Sequence, residues 1–511
     1  MARANHAEHQ LIRKGAIQSR LYQESILATA SGKHTLCVLP TGMGKTQIAI
    51  MLTALRLEKY PESRVLVMAP TRPLVNQHLK SFAGSMTLGR EDFQVLTGFV
   101  GKEKRKALYR KKIILATPQV IRNDIESGVL SLKGFSLLII DEAHHSVGEY
   151  AYPHIVKTYL EEAEHPRILG LTASPGGTRE KIEEIRRNIG AEAVEIRTEE
   201  DSDTLPYVKG VDIEWVNVEL PESFRKIRDY IMNAYQGRVT SLKRMHLVRS
   251  SRISKKELLL VQQKLQRDIR EGKRWAYAAA STAAQAIKLE HALMLLETQG
   301  ISNLQKYWNK LKRDKSKAGE KIVKNRDISH AIYLTNSLFE SGSRHPKISK
   351  LCSVIQGELE NRPDSRIIVF ANFRDTVKEI VSVLSKISGA RPVEFVGQKE
   401  GLTQKEQMSR LLGFRDGTYN ILVGTSVSEE GLSIEGADMA VFYEPVPSEI
   451  RSIQRRGRVG RYAKGKVVVL ITRNTRDQAY YWTSRTKERR MKDTVRGMKK
   501  QAALQDSFPG N

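Results

Sequence analysis

The chain has few of the features that would cross-link it or anchor it in a membrane. Two cysteines, Cys37 and Cys352, occur in 511 residues, too few for a disulfide framework or a zinc site built from cysteines. The longest apolar runs fall far short of the ~20 residues that a membrane-spanning helix needs. The amino terminus leads into no apolar segment like that of a signal peptide. We therefore expect an intracellular, cytoplasmic protein.

Acidic residues are also scarce relative to basic ones. The chain has 57 Asp and Glu against 84 Lys and Arg, which gives a formal charge of +27. Such an excess indicates a polyanionic partner, either nucleic acid or an anionic membrane surface. We expect nucleic acid, and a nucleoid-associated location if the source is archaeal.

The pattern of apolar runs changes twice along the chain. Short apolar runs alternate with helical stretches over residues 20–197, which predicts a parallel sheet covered by helices. Residues 221–339 have almost no Pro or Gly and predict long helices. The alternation of short apolar runs with helical stretches then resumes. The runs that predict strands are residues 35–39, 65–69, 113–116, 137–140 and 168–171, then 366–370, 392–395, 419–424, 439–443 and 466–471.

These changes predict an α/β fold with two parallel-sheet domains and an all-helical insertion between them. We expect a first sheet domain over residues 1–203 and the insertion over residues 204–342. A second sheet domain would then occupy residues 343–480, followed by a basic tail over residues 481–511.

A Gly-rich turn that ends in Lys-Thr follows the first predicted strand. Backbone N–H groups of such a turn cradle phosphates, while Lys45 reaches the β- and γ-phosphates and Thr46 holds Mg²⁺. Leu39 stands where the full motif has another glycine, and such a turn taken alone is more often a simple turn. The residues expected to bind the phosphates are Thr41, Gly42, Met43, Gly44, Lys45 and Thr46.

Two adjacent carboxylates, Asp141 and Glu142, follow the apolar run at residues 137–140. Asp141 would hold the same Mg²⁺ indirectly, and Glu142 would orient or deprotonate the attacking water. An isolated Asp-Glu pair is usually solvated, but both motifs follow buried-type strands in the order that this chemistry requires. Together they predict an ATPase that uses ATP and Mg²⁺, with Thr46, Asp141 and Glu142 at the metal.

Arg20 and Gln23 lie just upstream of the Gly-rich turn. Gln23 can make two hydrogen bonds to adenine N6 and N7, and Arg20 could help to hold the base. Packing and helix capping are the ordinary alternative for such a pair.

Further loops after strands of the first domain are suited to nucleic-acid phosphates. A helix that begins directly after a strand offers free N–H groups and a positive dipole. Ordinary strand-to-helix turns with proline are the alternative. The residues expected to contact nucleic acid are Pro70, Thr71, Arg72, Gly98, Thr117 and Pro118.

Small hydroxyl residues, Thr172 and Ser174, end another strand. We expect them, with His144 of the Asp-Glu-Ala-His box, to couple the nucleotide site to the second domain. A local turn stabilised by the hydroxyl groups is an equally good interpretation.

The strongest signal in the second sheet domain is the basic segment at residues 452–461. Arg458 and Arg461 lie three residues apart, on one helical face, and could clamp a γ-phosphate as arginine fingers. Gln454 would contact the γ-phosphate side or the attacking water. A solvated or nucleic-acid-binding face is the alternative.

Other loops of this domain are expected to hold nucleic acid or ribose. Glu430 and Gly431 would contact the ribose of the nucleotide. The residues expected to grip nucleic acid are Asn372, Arg374, Gly397, Gln398, Thr425 and Ser426.

The motif series from Arg20 to Arg461 resembles, in order and spacing, the core of superfamily-two helicases. The continuation of the Asp-Glu-Ala-His box at residues 148–152 and the run at residues 442–451 resemble the Hef and Fanconi-anaemia-M group more narrowly. This resemblance implies two RecA-like domains and an insertion that acts on duplex DNA like a polymerase thumb. It also implies 3′-to-5′ translocation and the repair of stalled replication forks.

The resemblance leaves several expectations open. Ser433 and His145 depart from the residues that relatives usually carry. We expect either an isolated helicase portion or a form without the nuclease domain of some relatives, with a nuclease or a sliding clamp as a partner. We expect Trp275 and Trp308 to belong to the core. A translocase stimulated by double-stranded RNA, and a branched-DNA-binding scaffold with little turnover, are the alternative functions.

Overall fold

The structure, a computed structural model, describes residues 8–98, 101–148, 150–176, 178–207, 211–250, 253–397, 402–425, 437–445 and 465–483, with isolated residues between 486 and 497. The structure has two parallel sheets, and a helical bundle lies in sequence between the first sheet and all but one strand of the second, so the predicted fold class is confirmed. Within these residues, no helix is long and apolar enough to cross a membrane.

The first sheet has seven strands in the order β3-β4-β2-β5-β6-β1-β7, and every neighbouring pair is parallel. The predicted strands of this domain are all present. Two edge strands, β3 and β7, were not predicted because they are only partly buried and lack a continuous apolar run. The strands are β1 Thr35–Val38, β2 Arg64–Met68, β3 Phe93–Leu96, β4 Ile113–Ala116, β5 Phe135–Asp141, β6 Ile168–Thr172 and β7 Ala193–Ile196.

Helices cover both faces of this sheet. Successive residues of β5 point to opposite faces, so Leu138 and Ile140 join one apolar cluster while Leu137 and Ile139 join the other. This two-sided burial explains why the central strands are continuously apolar. The helices are α1 Leu21–Gly32, α2 Lys45–Lys59, α3 Arg72–Ser85, α4 Lys102–Leu108, α5 Pro118–Glu126, α6 Ala151–Glu162 and α7 Arg179–Asn188.

The helical bundle has its own apolar core. Alanines of its central helix, among them Ala283 and Ala286, are fully buried and let neighbouring helices approach closely. The sequence predicts both tryptophans in this core. Trp308 is buried and donates a hydrogen bond to Thr335 Oγ1 (3.2 Å). The helices are α8 Glu222–Arg244, α9 Lys255–Arg270, α10 Trp275–Met294, α11 Ile301–Lys312, α12 Lys317–Val323 and α13 Arg326–Glu340, with a π-helical turn, Leu295–Gln299, after α10.

The prediction for Trp275 is wrong, because its side chain is 53% exposed. Trp275 is the first residue of α10 and follows the tight turn from α9, where Gly272 has φ +80°. At this end of the helical hairpin, none of the described elements buries the indole ring. The tip of the bundle therefore presents an aromatic side chain to solvent.

The second sheet has six strands in the order β10-β11-β9-β12-β13-β8, again with parallel neighbours. The strands are β8 Val211–Val218, β9 Ile367–Phe370, β10 Pro392–Phe395, β11 Ile421–Gly424, β12 Met439–Phe442 and β13 Gly465–Thr472. Helices α14 Pro346–Asn361, α15 Arg374–Leu384 and α16 Gln404–Arg415 accompany it.

Strand β8 corrects the expected start of the insertion at residue 204. It pairs with β13 along its whole length, so residues 211–218 belong to the second sheet although they precede the bundle. Its polar residues alternate with apolar ones, as expected at a sheet edge, and the pattern of continuous apolar runs does not detect it. The first helix of the bundle begins at Glu222.

Candidate nucleotide site and nucleic-acid interface

The predicted site residues of the first domain lie along one edge of its sheet. Because all strand pairs are parallel, the loops after their carboxyl ends share that edge, where α/β domains bind ligands. The strand order divides the edge into two halves. Loops after β1 and β5 carry predicted nucleotide residues and the end of β6 carries predicted coupling residues, whereas the loops after β2, β3 and β4 carry the predicted nucleic-acid residues. Strands β2 and β5 are neighbours where the halves meet.

The Gly-rich turn has the backbone of a phosphate cradle. Gly42 and Gly44 have φ +80° and +79°, a left-handed conformation that residues with a Cβ rarely adopt. At Gly44 a Cβ would also lie 2.3 Å from the side-chain nitrogen of Gln23. Lys45 and Thr46 open α2, and Lys45 Nζ donates to the carbonyl oxygen of Leu39 (3.0 Å). The turn thus presents backbone N–H groups at a helix N-terminus.

Leu39 replaces the first glycine of the full motif without disturbing this cradle. Its side chain is buried in the apolar core, and its N–H donates to the carbonyl oxygen of Thr172 (3.0 Å). The position therefore continues the strand pairing and does not have to approach a phosphate closely.

Gln23 lies against the turn from the amino-terminal side. Its buried amide nitrogen donates to the Met43 carbonyl oxygen and to Gln47 Oε1, both at 3.1 Å. Tyr22 donates its hydroxyl to the same carbonyl oxygen (2.8 Å), and Arg20 donates to the Tyr22 hydroxyl (3.0 Å). Sequence reasoning missed Tyr22 and Gln47, since neither has a signal beyond its closeness to a motif.

Asp141 is the buried last residue of β5 and is hydrogen-bonded to a residue that the sequence does not mark. Its Oδ2 lies 2.8 Å from Nε2 of His78, which belongs to α3. Burial by itself would raise the pKa of Asp141, but the nearby His78 and Lys45 outweigh it and lower that pKa. Asp141 is therefore held as a carboxylate, as a ligand for a cation must be.

Glu142 has φ +50°, a left-handed conformation that costs about 1 kcal/mol or more for a residue with a side chain. Such strain is common at functional sites, where the surrounding structure imposes it. Glu142 Oε2 lies 3.2 Å from Nδ1 of His144. The same His144 nitrogen is 3.2 Å from Thr172 Oγ1, which accepts the N–H of Ser174 (3.2 Å). The structure thus brings together the residues predicted to couple the site.

The loops of the other half also converge. Thr71 precedes the first residue of α3, Arg72, and Thr117 precedes Pro118, the first residue of α5. A Cβ placed on Gly98 would lie 3.5 Å from a guanidinium nitrogen of Arg72. Pro70 completes the loop after β2. Two helix N-termini and a guanidinium group therefore lie side by side, an arrangement that suits a phosphate backbone.

In the second domain, the predicted residues follow three neighbouring strands. Asn372 and Arg374 follow β9, Gly397 follows β10 and Thr425 follows β11. Thr425 is buried, and the N–H of Asn372 donates to Glu444 Oε2 (2.8 Å). The other predicted residues lie outside the described part of the chain: Gln398, Ser426, Glu430, Gly431, Gln454, Arg458 and Arg461.

The residues present fit ATP and Mg²⁺. Among the described residues, the buried Oε1 atom of Gln23 has no hydrogen-bond partner, so it could accept a hydrogen bond from the amino group of adenine. The hydroxyl of Thr46 and the carboxylate of Asp141 are oxygen donors of the type that Mg²⁺ prefers. No group of three His, Cys, Asp or Glu residues in the described ranges could hold a metal ion. A Mg²⁺ ion here would depend on nucleotide phosphates for further ligands.

Three family models match the chain in the order of its domains. They are described as "DEAD/DEAH box helicase" at residues 17–182, "Putative ATP-dependent RNA helicase, helical bundle" at residues 223–341, and "Helicase conserved C-terminal domain" at residues 346–463. These matches correspond in turn to the first sheet domain, the bundle and the second sheet domain.

The chain is similar to the crystal structure of the Pyrococcus furiosus Hef helicase domain, with 44% identity and a TM-score of 0.73 over 93% of this chain and 100% of that one. A "Putative ATP-dependent RNA helicase" of Methanocaldococcus jannaschii is 42% identical over 96% of this chain and 62% of the relative. The "DEAD-box ATP-dependent RNA helicase FANCM" of Arabidopsis thaliana is 32% identical over 91% and 36%. The chain thus spans less than two thirds of either curated relative.

Proposed function

The chain belongs to the Hef and Fanconi-anaemia-M group of ATP-dependent superfamily-two helicases, and we propose that it uses ATP hydrolysis to move along forked or branched DNA. One observation carries this proposal. The residues predicted to bind nucleotide and those predicted to bind nucleic acid lie on adjoining halves of one sheet edge. A second parallel sheet presents further candidate nucleic-acid residues at its own carboxyl edge.

In this proposal the first domain binds and orients the nucleotide. The backbone around Gly44 and the ammonium of Lys45 hold the phosphates, and Gln23 contacts adenine. Bound Mg²⁺ would neutralise charge that develops on the phosphates, with Thr46 and Asp141 as its protein partners. Glu142 orients the attacking water.

The second domain would complete the site only when the cleft closes. Arg458 and Arg461 would then reach the γ-phosphate, with Gln454 beside the water, while Glu430 and Gly431 contact ribose. Closure of this kind couples hydrolysis to a shift of the two domains along one strand. We propose a 3′-to-5′ direction and a role in the repair of stalled forks, together with a nuclease or a sliding clamp.

The helical insertion is suited to the branch point. Its second helix, α9, carries exposed basic residues that continue to the tip where Trp275 is exposed. Cations bind phosphates of any sequence, and an exposed indole can stack on an unpaired base. The exposed basic residues are Lys255, Lys256, Lys264, Arg267, Arg270, Lys273 and Arg274.

ATP turnover with a panel of nucleic acids tests the proposal. Forked DNA should stimulate turnover more than single-stranded DNA, duplex DNA or duplex RNA. Glu142→Gln is the control that should abolish turnover while nucleotide still binds. Arg461→Ala should lower turnover ~10³-fold or more if it is an arginine finger. Equal turnover with and without every nucleic acid would contradict the proposal, whereas binding of branched DNA with no turnover would favour the branched-DNA-binding scaffold.

Double-stranded RNA is a second candidate substrate, because the names of the two relatives compared above contain "RNA helicase". A relative in Schizosaccharomyces pombe is instead named as an ATP-dependent DNA helicase. Contacts to phosphates do not distinguish the two nucleic acids, since the difference lies in groups that meet the 2′-hydroxyl. Stimulation by blunt duplex RNA alone, in the same panel, would favour the RNA alternative.

A further inference from the structure

His78 occupies the boundary between the two halves of the first sheet edge. Strand β2 leads into α3, which begins at Arg72, and the neighbouring strand β5 ends at Asp141. His78 lies in α3 between Val75 and Phe82. All three side chains are buried, and their spacing of three and four residues places them on one helix face. His78 therefore stands where an apolar core residue would be expected.

We propose that His78 is a positioning residue that couples nucleic-acid binding at the start of α3 to Asp141 of the nucleotide site. The proposal rests on the proposed function, because it requires that both ligands bind this edge. The contact between His78 Nε2 and Asp141 Oδ2 spans 2.8 Å and joins helix α3 to the last residue of β5. It is a direct side-chain link between an element of the nucleic-acid half and an element of the nucleotide half.

The surroundings of His78 distinguish this link from an ordinary structural hydrogen bond. Both partners are buried, so little water competes for the bond. The other ring nitrogen, Nδ1, is buried and has no hydrogen-bond partner within the described part of the chain. Buried polar atoms are normally paired, and a leucine would fill this core position without such a penalty. The ring of Phe82 lies edge-on, with ring centroids 6.4 Å apart, and limits how far the imidazole can turn.

A rigid helix can transmit this coupling. Arg72 and His78 lie within two turns of the same helix, so phosphate binding at its N-terminus displaces or fixes the imidazole as well. Asp141 is then held more often in the orientation that accepts the hydrogen bond from His78. By linkage, if nucleic acid tightens nucleotide binding through this orientation of Asp141, nucleotide must tighten nucleic-acid binding by the same factor.

The coupling factor is measurable without catalysis. The Kd of a fluorescent single-stranded DNA is determined by anisotropy, with and without a non-hydrolysable ATP analogue and Mg²⁺. We expect the nucleotide to change the Kd of the wild-type protein by about 5-fold or more, as is typical of coupled sites. In His78→Leu, which retains packing but removes the hydrogen bond, the factor should fall to less than about twofold.

Three further variants separate coupling from damage to the core. Val75→Ala is the matched control, because it disturbs the same buried face and leaves both the link to Asp141 and the ring of Phe82 in place; it should keep the wild-type factor. His78→Gln and His78→Asn form a graded pair. The glutamine amide reaches the position of Nε2, whereas the asparagine amide reaches only that of Nδ1. Glutamine should therefore preserve coupling, and asparagine should lose it.

The results separate the inference from the proposed function. If the nucleotide changed the Kd for DNA by the same factor in His78→Leu as in the wild type, the coupling role of His78 would be overturned. If this variant does not fold, equal factors in the glutamine and asparagine variants would overturn it instead. Wild-type protein that binds no nucleic acid, or whose turnover no nucleic acid stimulates, would mean that the proposed function itself is wrong.

Steady-state kinetics provide a second readout. Loss of coupling should lower the nucleic-acid-stimulated kcat more than it raises the KM for ATP, because His78 does not touch the nucleotide in this proposal. A rise in KM alone, with kcat unchanged, would show that His78 only supports nucleotide binding and would overturn the coupling role.

Discussion

Gln299 of the helical bundle is hydrogen-bonded to Glu444, which follows β12 of the second sheet. The amide nitrogen of Gln299 donates to Glu444 Oε1, and the hydroxyl of Thr376 donates to Gln299 Oε1. The other oxygen of Glu444 accepts the N–H of Asn372 (2.8 Å). Gln299 and Glu444 are both buried. The π-helical turn of the bundle is therefore joined, through one polar network, to a residue predicted to contact nucleic acid.

Removal of the Gln299 side-chain amide should destabilise this junction. Gln299→Leu removes the buried hydrogen bonds to Glu444 and Thr376, and the loss of a partner by a buried polar group costs about 1–3 kcal/mol. Urea unfolding should show this cost as a lower free energy of unfolding. Gln266→Leu, at an exposed position of α9, is the control for the substitution and should leave stability nearly unchanged. Equal stability of the two variants would contradict a structural role for the network.

Gln23 should determine the preference for adenine. Its Nε2 donates to Met43 and Gln47, so Oε1 is the atom that can accept a hydrogen bond from the adenine amino group. Such a hydrogen bond contributes about 0.5–1.5 kcal/mol, so Gln23→Leu should reduce the ratio of kcat/KM for ATP over GTP by about 2- to 10-fold. Gln94→Leu, in β3 on the other half of the sheet edge, should leave the ratio as in the wild type. An unchanged ratio in Gln23→Leu would assign Gln23 to packing against the turn.

His345 should make stability depend on pH. Its Nδ1 accepts the N–H of Lys347 (3.3 Å) at the start of α14, and Nε2 lies 3.1 Å from the Glu297 carbonyl oxygen. Burial, reinforced by the charge of Lys347, lowers the pKa of His345 from 6.5 to about 3. Between these values the unfolded chain binds more protons, so stability falls as pH decreases below about 6.5.

Replacement of this ring tests the linkage. In His345→Gln the fall in unfolding free energy between pH 6.5 and 5 should be smaller than in the wild type, by up to about 1.4 kcal/mol per pH unit. His330→Gln, at an exposed position of α13, controls for the exchange of histidine for glutamine. Parallel pH profiles for the wild type and His345→Gln would contradict the prediction.

Trp275 should contribute to the recognition of branched DNA. Stacking of a base on an aromatic side chain contributes about 1–3 kcal/mol, so Trp275→Ala should weaken binding of forked DNA by about 5- to 100-fold. Binding of a blunt duplex, which offers no unpaired base, should change less. Tyr333→Ala removes another exposed aromatic of the bundle and is the matched control. Equal losses for forked and blunt DNA would contradict base stacking.

The motifs of the candidate nucleotide site could be predicted because their chemistry depends on local sequence. Gly44 and Lys45 belong to a turn whose backbone conformation follows from its glycines, and Asp141 ends an apolar strand. Edge strands were harder to predict. Strand β8 is half polar and far in sequence from its partner β13, so no local pattern marks it as part of the second sheet.

The sequence by itself determined the parallel sheets, the helical insertion and the order of the motifs, because these follow from apolar periodicity and from the turn chemistry of short segments. Only the tertiary structure decided which side chains meet. The contact of His78 with Asp141 depends on β2 and β5 being neighbours, and the exposure of Trp275 depends on the position of the helical hairpin. Such contacts join residues far apart in the chain, and the packing of whole elements, which no local pattern encodes, brings them together.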